Sequence, residues 1–341
     1  MSRWGPRVSD NKEVILIQKY VKNVNVNNYG IKIKSLKQKL QKEFSQFGPL
    51  YILALPGLIF LILFSYVPMS GLIIVFKDYK FKDGMFGSAW VGFKNFEFFF
   101  YDMSKALRAT NNTIILNFLF IITGTVIAVA LAIMMNEVKN KLFKKITQSV
   151  MFFPYFISWI IIGIIVYILL SPQGGFINAT LAHYGFKSID FYSDPKYWRT
   201  ILVLANIWKG AGYGSIIYFA VLNGFDPSYY EAAIVDGASR MQQICKITIP
   251  MLIPTIVIMT LLAVGRILYG DLSMIMGLTN LNPLLLPTTD IIDTYVYRSA
   301  IRSGEFSYTS AIALYQSVFG FILVVAANHI TGLFSKESKL F

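Results

Sequence analysis

Reactive side chains are scarce in this sequence. A single cysteine, Cys245, excludes an internal disulfide framework and any cysteine-cluster metal site. Two histidines, His183 and His329, leave little for a histidine-based centre. Charge is thin as well, with 14% Asp, Glu, Lys and Arg against roughly 25% in globular proteins. No Gly-x-x-x-x-Gly-Lys-Ser/Thr phosphate loop occurs, so the chain is not expected to hydrolyse ATP or to bind its magnesium. No grouping of nucleophile, base and metal ligand suggests a membrane enzyme, and there is no short-period repeat or low-complexity tract. The first 49 residues are polar and basic, without an apolar core and a small-residue cleavage site. No cleavable signal peptide is expected, and the first spanning helix would serve as its own insertion signal.

Apolar residues fill the chain instead: 55% of its side chains are hydrophobic and the mean hydropathy is +0.55. A hydrocarbon layer of about 30 Å needs about 20 helical residues. Six segments qualify, at 50–76, 113–135, 146–170, 201–222, 251–272 and 310–334. The expected fold class is therefore an all-α polytopic membrane protein with six transmembrane helices. Pro56 and Pro68 predict a kink in the first. The fourth is the weakest, because it carries Asn206, Lys209 and three glycines, and suits a helix facing protein rather than lipid.

The net charge of +13 could suggest nucleic acid, but the basic residues are separated by runs of bilayer length and read as topology. With both termini inside, the cytoplasmic segments hold eighteen Lys and Arg against eleven in the longer outer segments. The short cluster Lys139, Lys141, Lys144 and Lys145 weighs most. This predicts a cytoplasmic basic extension at 1–49, a membrane domain at 50–334 with a cytoplasmic loop at 226–250, and a cytoplasmic tail at 335–341. Within the extension, the basic stretch 31–47 suits either a helix along anionic lipid or a solvated tail.

The loop at 226–250 is the most ordered polar stretch. Asp226-Pro227 reads as a cap followed by proline at the first helical position, and Ser228-x-x-Glu231 also fits a capping box. A short helix then carries Tyr230, Glu231, Ala232 and Ala233 past Asp236 and stops at Gly237, which tolerates the left-handed backbone of a sharp turn. A second short helix begins near Ala238 or Ser239, with Cys245 expected on its buried face, and Pro250 opens the next span. The small Ala232-Ala233 pair permits close approach by another surface, and Glu231 and Asp236 offer fixed negative charge. A solvated re-entry loop is the plainer alternative.

Polar residues inside spans are expensive and point to a solute pathway. Asn206, Trp208, Lys209, Tyr213 and Tyr218 fall on the fourth span, Arg266, Tyr269 and Asp271 late in the fifth, and Gln316 and Asn328 in the sixth. Aromatic faces with amides and charges suit a sugar. Such residues also populate membrane interfaces and helix contacts, and Arg266 could simply pair with Asp271.

Glu231-Ala232-Ala233, three residues, Gly237, nine residues, then Ile247-Thr248-Ile249-Pro250 resembles the cytoplasmic loop of bacterial ATP-binding-cassette importer permeases. Ile249 stands where leucine is usual. The resemblance extends from about residue 50 to 334. It includes Leu55-Pro56-Gly57, Val67-Pro68, Phe76-Lys77-Asp78-Tyr79, Trp90-Val91-Gly92-Phe93-Lys94-Asn95-Phe96, Asn112-Thr113, Phe153-Pro154 and Gly174-Gly175-Phe176-Ile177-Asn178. Asp290 through Arg298 and Phe321 through Asn328 look like the branch that imports oligosaccharides. The resemblance implies a bacterial cell-membrane subunit that docks ATPases through Tyr230, Glu231, Ala232, Ala233, Asp236, Gly237 and Ala238. Its partners would be a second permease, two ATP-binding subunits and an extracellular sugar-binding lipoprotein, with ATP and magnesium held by the ATPases. An ion-coupled carrier or channel is the alternative, but it would call for inverted repeats or carboxylates near mid-membrane. The only acid assigned to a span is Asp271, near its end.

Overall fold

The computed structural model describes residues 36–101 and 103–334. Most of the N-terminal extension, with Lys32 and Lys34 of its basic stretch, lies outside the described residues, as does the tail at 335–341. Two compact units divide between Ser70 and Gly71. The first holds helix α1, Leu36–Leu61, which runs unbroken through the boundary expected at residue 50 and contains Pro49 and Pro56. A π turn, Ile62–Tyr66, and a short turn, Val67–Met69, follow it. Pro68 has no N–H to donate, and the π turn that shifts the ladder ends two residues before it, at Tyr66.

In the second unit, the strand pair Lys77–Asp78 and Ala89–Trp90 closes a small hairpin. The Asn95 Nδ2 donates to the Val75 and Lys77 carbonyls at 2.7 and 2.9 Å, and the Phe76 ring packs against Trp90, Phe93 and Phe96. Helices follow as α2 (Lys94–Tyr101), α3 (Met103–Glu137), α4 (Lys141–Phe152), α5 (Trp159–Leu170), α6 (Phe176–His183) and α7 (Trp198–Leu222). Then come α8 (Ser228–Val235), α9 (Arg240–Gln243), α10 (Ile249–Val264), α11 (Leu272–Thr279), α12 (Ile292–Ser303) and α13 (Phe306–Phe334).

Four helical runs among the described residues are long and apolar enough to cross a membrane: Ser45–Phe76, Met103–Glu137, Arg240–Val264 and Phe306–His329. The bent pair α4 and α5 makes a fifth if it is one span. Helix α7, the segment expected to be weakest, is too polar to pass that test. It packs along α3 and buries Leu202, Tyr218 and Leu222, as a protein-facing helix should.

Two expected spans are corrected. The third is not continuous: it breaks at the 3-10 turn Phe153–Phe156, Ser158 caps α5, and the chain bends by 96°. Pro154 opens that 3-10 turn, and the carbonyls the bend frees are taken up by a distant side chain described below. The fifth stops at Val264 rather than at 272, and residues 265–271 form a braced turn before α11. Asp271 is therefore not a residue of the span but the N-cap of α11, accepting the Met274 N–H at 2.9 Å.

Helices α5 and α11 touch backbone to backbone. A Cβ on Gly163 would lie 1.8 Å from the Gly277 carbonyl oxygen, so nothing larger than glycine fits. At the N-terminal ends of α3, α7 and α12 a buried polar knot ties the bundle. Asp290 accepts from Arg108 Nη2 at 2.9 Å, Arg298 Nη2 at 2.6 Å and Thr294 Oγ1 at 3.0 Å. Asn112 donates to the Pro287 and Asp290 carbonyls and accepts from Arg199 at 2.9 Å, while Thr113 receives the Ile292 N–H.

Candidate functional site

Just before helix α8, the Asp226 Oδ1 accepts the Ser228 N–H at 2.9 Å. The cap position of α8 is Pro227 and carries no side-chain hydrogen bond, so Asp226 sits one residue before the cap expected of it, and the capping box of Ser228 and Glu231 is not made. The helix ends in two crossed hydrogen bonds, Ala238 N–H to the Ala233 carbonyl at 2.8 Å and Gly237 N–H to Ile234 at 3.0 Å. That closure requires a left-handed residue at its corner, and Gly237 supplies it with φ +75°. Beyond the corner, Ser239 and Gln242 form a reciprocal capping box. The second helix is not a separate short one: α9, a π turn at Ile244–Thr248 and α10 run on as one helix, Arg240–Val264. The π turn accommodates Pro250, as a second short helix followed by a fresh start would otherwise have done.

Tyr230 shares a hydrogen bond of 3.1 Å with Thr248, fixing α8 against the base of this helix. The outer surface of the corner is apolar with an acidic edge. Val235 is 87% exposed, Tyr229, Ile234 and Met241 are also exposed, and the Glu231 and Asp236 carboxylates have no partner among the described residues. Cys245, expected to be buried, is exposed.

A second site lies where the spans break. At the α4–α5 bend, the Lys209 ammonium donates to the Tyr155 carbonyl at 2.7 Å and to the Ile157 carbonyl. It also lies over the Tyr155 and Trp159 rings. Tyr213 stacks on Tyr155 with ring centroids 4.0 Å apart, and Gly212 lets α7 meet the Met151 backbone. Across the break, Trp159 Nε1 donates to Asp271 Oδ2 at 2.6 Å.

The turn at 265–271 is held just as closely. Asn117 Nδ2 donates to the Ile267 and Tyr269 carbonyls at 2.8 and 2.9 Å, and Gln316 Nε2 donates to Leu268 at 2.8 Å. Asp293 accepts the Gly270 N–H at 2.7 Å, and Tyr269 shares a hydrogen bond with Ser317. Burial pushes the Asp293 carboxyl up from the ordinary range, partly offset by the Gly270 N–H it accepts. Between this turn, α3 and α7 opens a cavity of about 590 Å³ lined by Asn117, Phe120, Asn206, Arg266, Tyr269 and Asp271, among others. A larger cleft of about 970 Å³ between α5 and α11 has no charged residue on its wall.

The pathway residues expected from sequence thus separate by role. Asn206, Tyr269 and Asp271 share the cavity with Arg266. Lys209 and Tyr213 hold the break, Gln316 holds the turn, and Tyr218 is buried in the core with Ala128, Ala132 and Leu252. Trp208 is exposed elsewhere on α7, and Asn328 is buried on α13. Arg266 does not pair with Asp271, whose two oxygens receive Trp159 and Met274. Asn117 and Phe120 were missed; the signal was an amide inside an otherwise apolar run.

These features define an all-α, multi-pass membrane protein with a polar cavity between its helices. Residues 124–334 match the family model described as binding-protein-dependent transport system inner membrane component, and the chain belongs to that family. It is 35% identical over 307 residues to the polygalacturonan/rhamnogalacturonan transport system permease protein YteP of Bacillus subtilis (strain 168). That similarity covers 89% of this chain and 94% of the relative. Protein LplB of the same organism is 37% identical over 290 residues, covering 84% and 90%. Among solved structures, a bacterial ABC transporter involved in import of the acidic polysaccharide alginate aligns with a TM-score of 0.78 at 34% identity, covering 86% of this chain and 98% of that one. The bacterial alginate ABC transporter in complex with alginate pentasaccharide-bound periplasmic protein aligns with a TM-score of 0.77 at 34% identity.

Proposed function

We propose that this chain is one of two permease subunits of an ATP-driven importer for an oligosaccharide delivered by an extracellular binding protein. Two separate ATPase subunits would hold ATP and magnesium and dock on residues 230–238. Both termini and that corner would face the cytoplasm, in keeping with the Lys and Arg asymmetry. The substrates in the names of the relatives, polygalacturonan, rhamnogalacturonan and alginate, support a carbohydrate.

One observation carries this reading. The helix that leaves the acidic corner at Arg240 runs unbroken to Val264, and the next residues line the polar cavity. At 1.5 Å per residue it spans about 37 Å, so a push at the corner reaches the cavity wall without a flexible joint. The caps and the Tyr230–Thr248 bond make the corner stiff, as a lever must be.

The test is uptake. The complete complex in liposomes, loaded with ATP inside and given binding protein outside, is expected to accumulate labelled oligosaccharide. Accumulation driven equally well by a proton or sodium gradient without ATP would overturn the proposal.

A further inference from the structure

The turn at 265–271 is braced more heavily than a helix end needs. Three successive carbonyls, of Ile267, Leu268 and Tyr269, are each taken by a side-chain amide from another helix, and the next N–H is taken by Asp293. Irregular backbone at membrane depth is tolerated where protein satisfies it or where it lines an aqueous cavity, and here side chains satisfy a turn that lines a polar cavity. This bracing presents Arg266, exposed on the cavity wall, with a guanidinium that makes no hydrogen bond or ion pair among the described residues. The Asn206 amide lines the same cavity and is equally without a partner there. Phe120 and Tyr269 add aromatic faces. Asp271 is the one carboxylate on the wall, and its two oxygens are engaged by Trp159 and Met274. The charged group on this wall left without a hydrogen-bonding partner is a guanidinium held by a rigid support.

We propose that Arg266 recognises the carboxylate of an anionic, uronic-acid oligosaccharide as it passes through this cavity. The planar guanidinium fork matches a carboxylate in a bidentate pair, which a lysine ammonium or an amide does not reproduce. Asn206 takes a neighbouring hydroxyl, and an aromatic ring takes the apolar C–H face of the sugar. This rests on the carbohydrate-importer reading and narrows its substrate class.

The complete complex in liposomes, with its binding protein, is offered trigalacturonate and its carboxyl-reduced, neutral counterpart. Wild type is expected to prefer the acidic probe, and Arg266→Gln to lower that preference about tenfold or more, with Arg266→Lys between them. A direct readout omits the binding protein: titration of trigalacturonate into the detergent-purified complex should show a similarly weaker Kd for Arg266→Gln. An unchanged Kd overturns the proposal, as does an equal loss for both probes, which would assign Arg266 to structure or to pairing with the second permease. Wild-type uptake of the neutral sugar alone overturns the proposal and leaves the carbohydrate reading standing. Uptake of neither probe overturns both.

Discussion

Replacing Asp290 with alanine is expected to cost the folded chain about 3–5 kcal/mol, the range for removing one partner of a buried ion pair. Asp290 is 0% exposed and is the only acid bridging Arg108 and Arg298 among the described residues. Arg108 Nε, Arg199 Nε and Arg298 Nη1 already lack hydrogen-bond partners there, so the arginines have no alternative acceptor waiting. Without the carboxylate, two guanidinium groups would lie against each other in a partly dry site. Arg108, at 35% exposed, can recover some hydration, which places the cost toward the lower end. Asp290→Asn should fall between, because it keeps the shape and one acceptor but not the charge. The measurement is the unfolding midpoint of the detergent-purified complex, with yield as a second readout. Asp194→Ala, which breaks the exposed Asp194–Lys196 pair, is the control and should move the midpoint little. Equal effects at the two positions would contradict a knot that holds α3, α7 and α12 together.

Gly237→Val is expected to leave the protein in the membrane while cutting solute uptake about tenfold or more for each ATP hydrolysed. No atom lies within 4 Å of where a Cβ would stand, so the effect does not come from a clash. It comes from φ +75°, a conformation that costs an ordinary residue about 1–2 kcal/mol and a β-branched one more. The cheapest relief is to open the corner, which breaks the crossed hydrogen bonds at Ala233 and Ile234 and swings α8 away from the base of the long helix. Gly237→Asn, which enters the left-handed region more readily, should retain most of the coupling. The check is solute moved per ATP in proteoliposomes for the three proteins. Loss of uptake with equal loss of hydrolysis in both variants would point to failed assembly instead.

The corner was legible because its signals are local. A left-handed glycine acts within four residues, so the sequence around Gly237 shows it directly; the capping box present, Ser239 with Gln242, is equally local, but the box expected was Ser228 with Glu231, which is not made. The same holds for the motifs in other loops, which prove to be clasps: Asn95 holds the hairpin, Asn178 bonds Ser171 and Ile189, and Asp290 reaches Arg298 eight residues on. The two broken spans were not legible. Hydropathy sees an unbroken apolar run from 146 to 170 and from 251 to 272, and what permits each break lies far along the chain. Lys209 is 52 residues from the Ile157 carbonyl it satisfies, and Asn117 is 150 from Ile267. The spacing within a span cannot report a hydrogen bond made from outside it. That is why Lys209 looked like a pathway residue, although its ammonium is engaged with backbone, and why Asn117 was overlooked.

The most direct measurement concerns the corner itself. With Cys245→Ser removing the only native thiol, Val235→Cys places a single reactive group at its most exposed apolar position. The assembled importer is treated with a short thiol-to-amine cross-linker. A covalent adduct between this chain and an ATPase subunit is the expected result. Labelling of the same cysteine from outside intact cells by an impermeant thiol reagent, with no ATPase adduct, would contradict it.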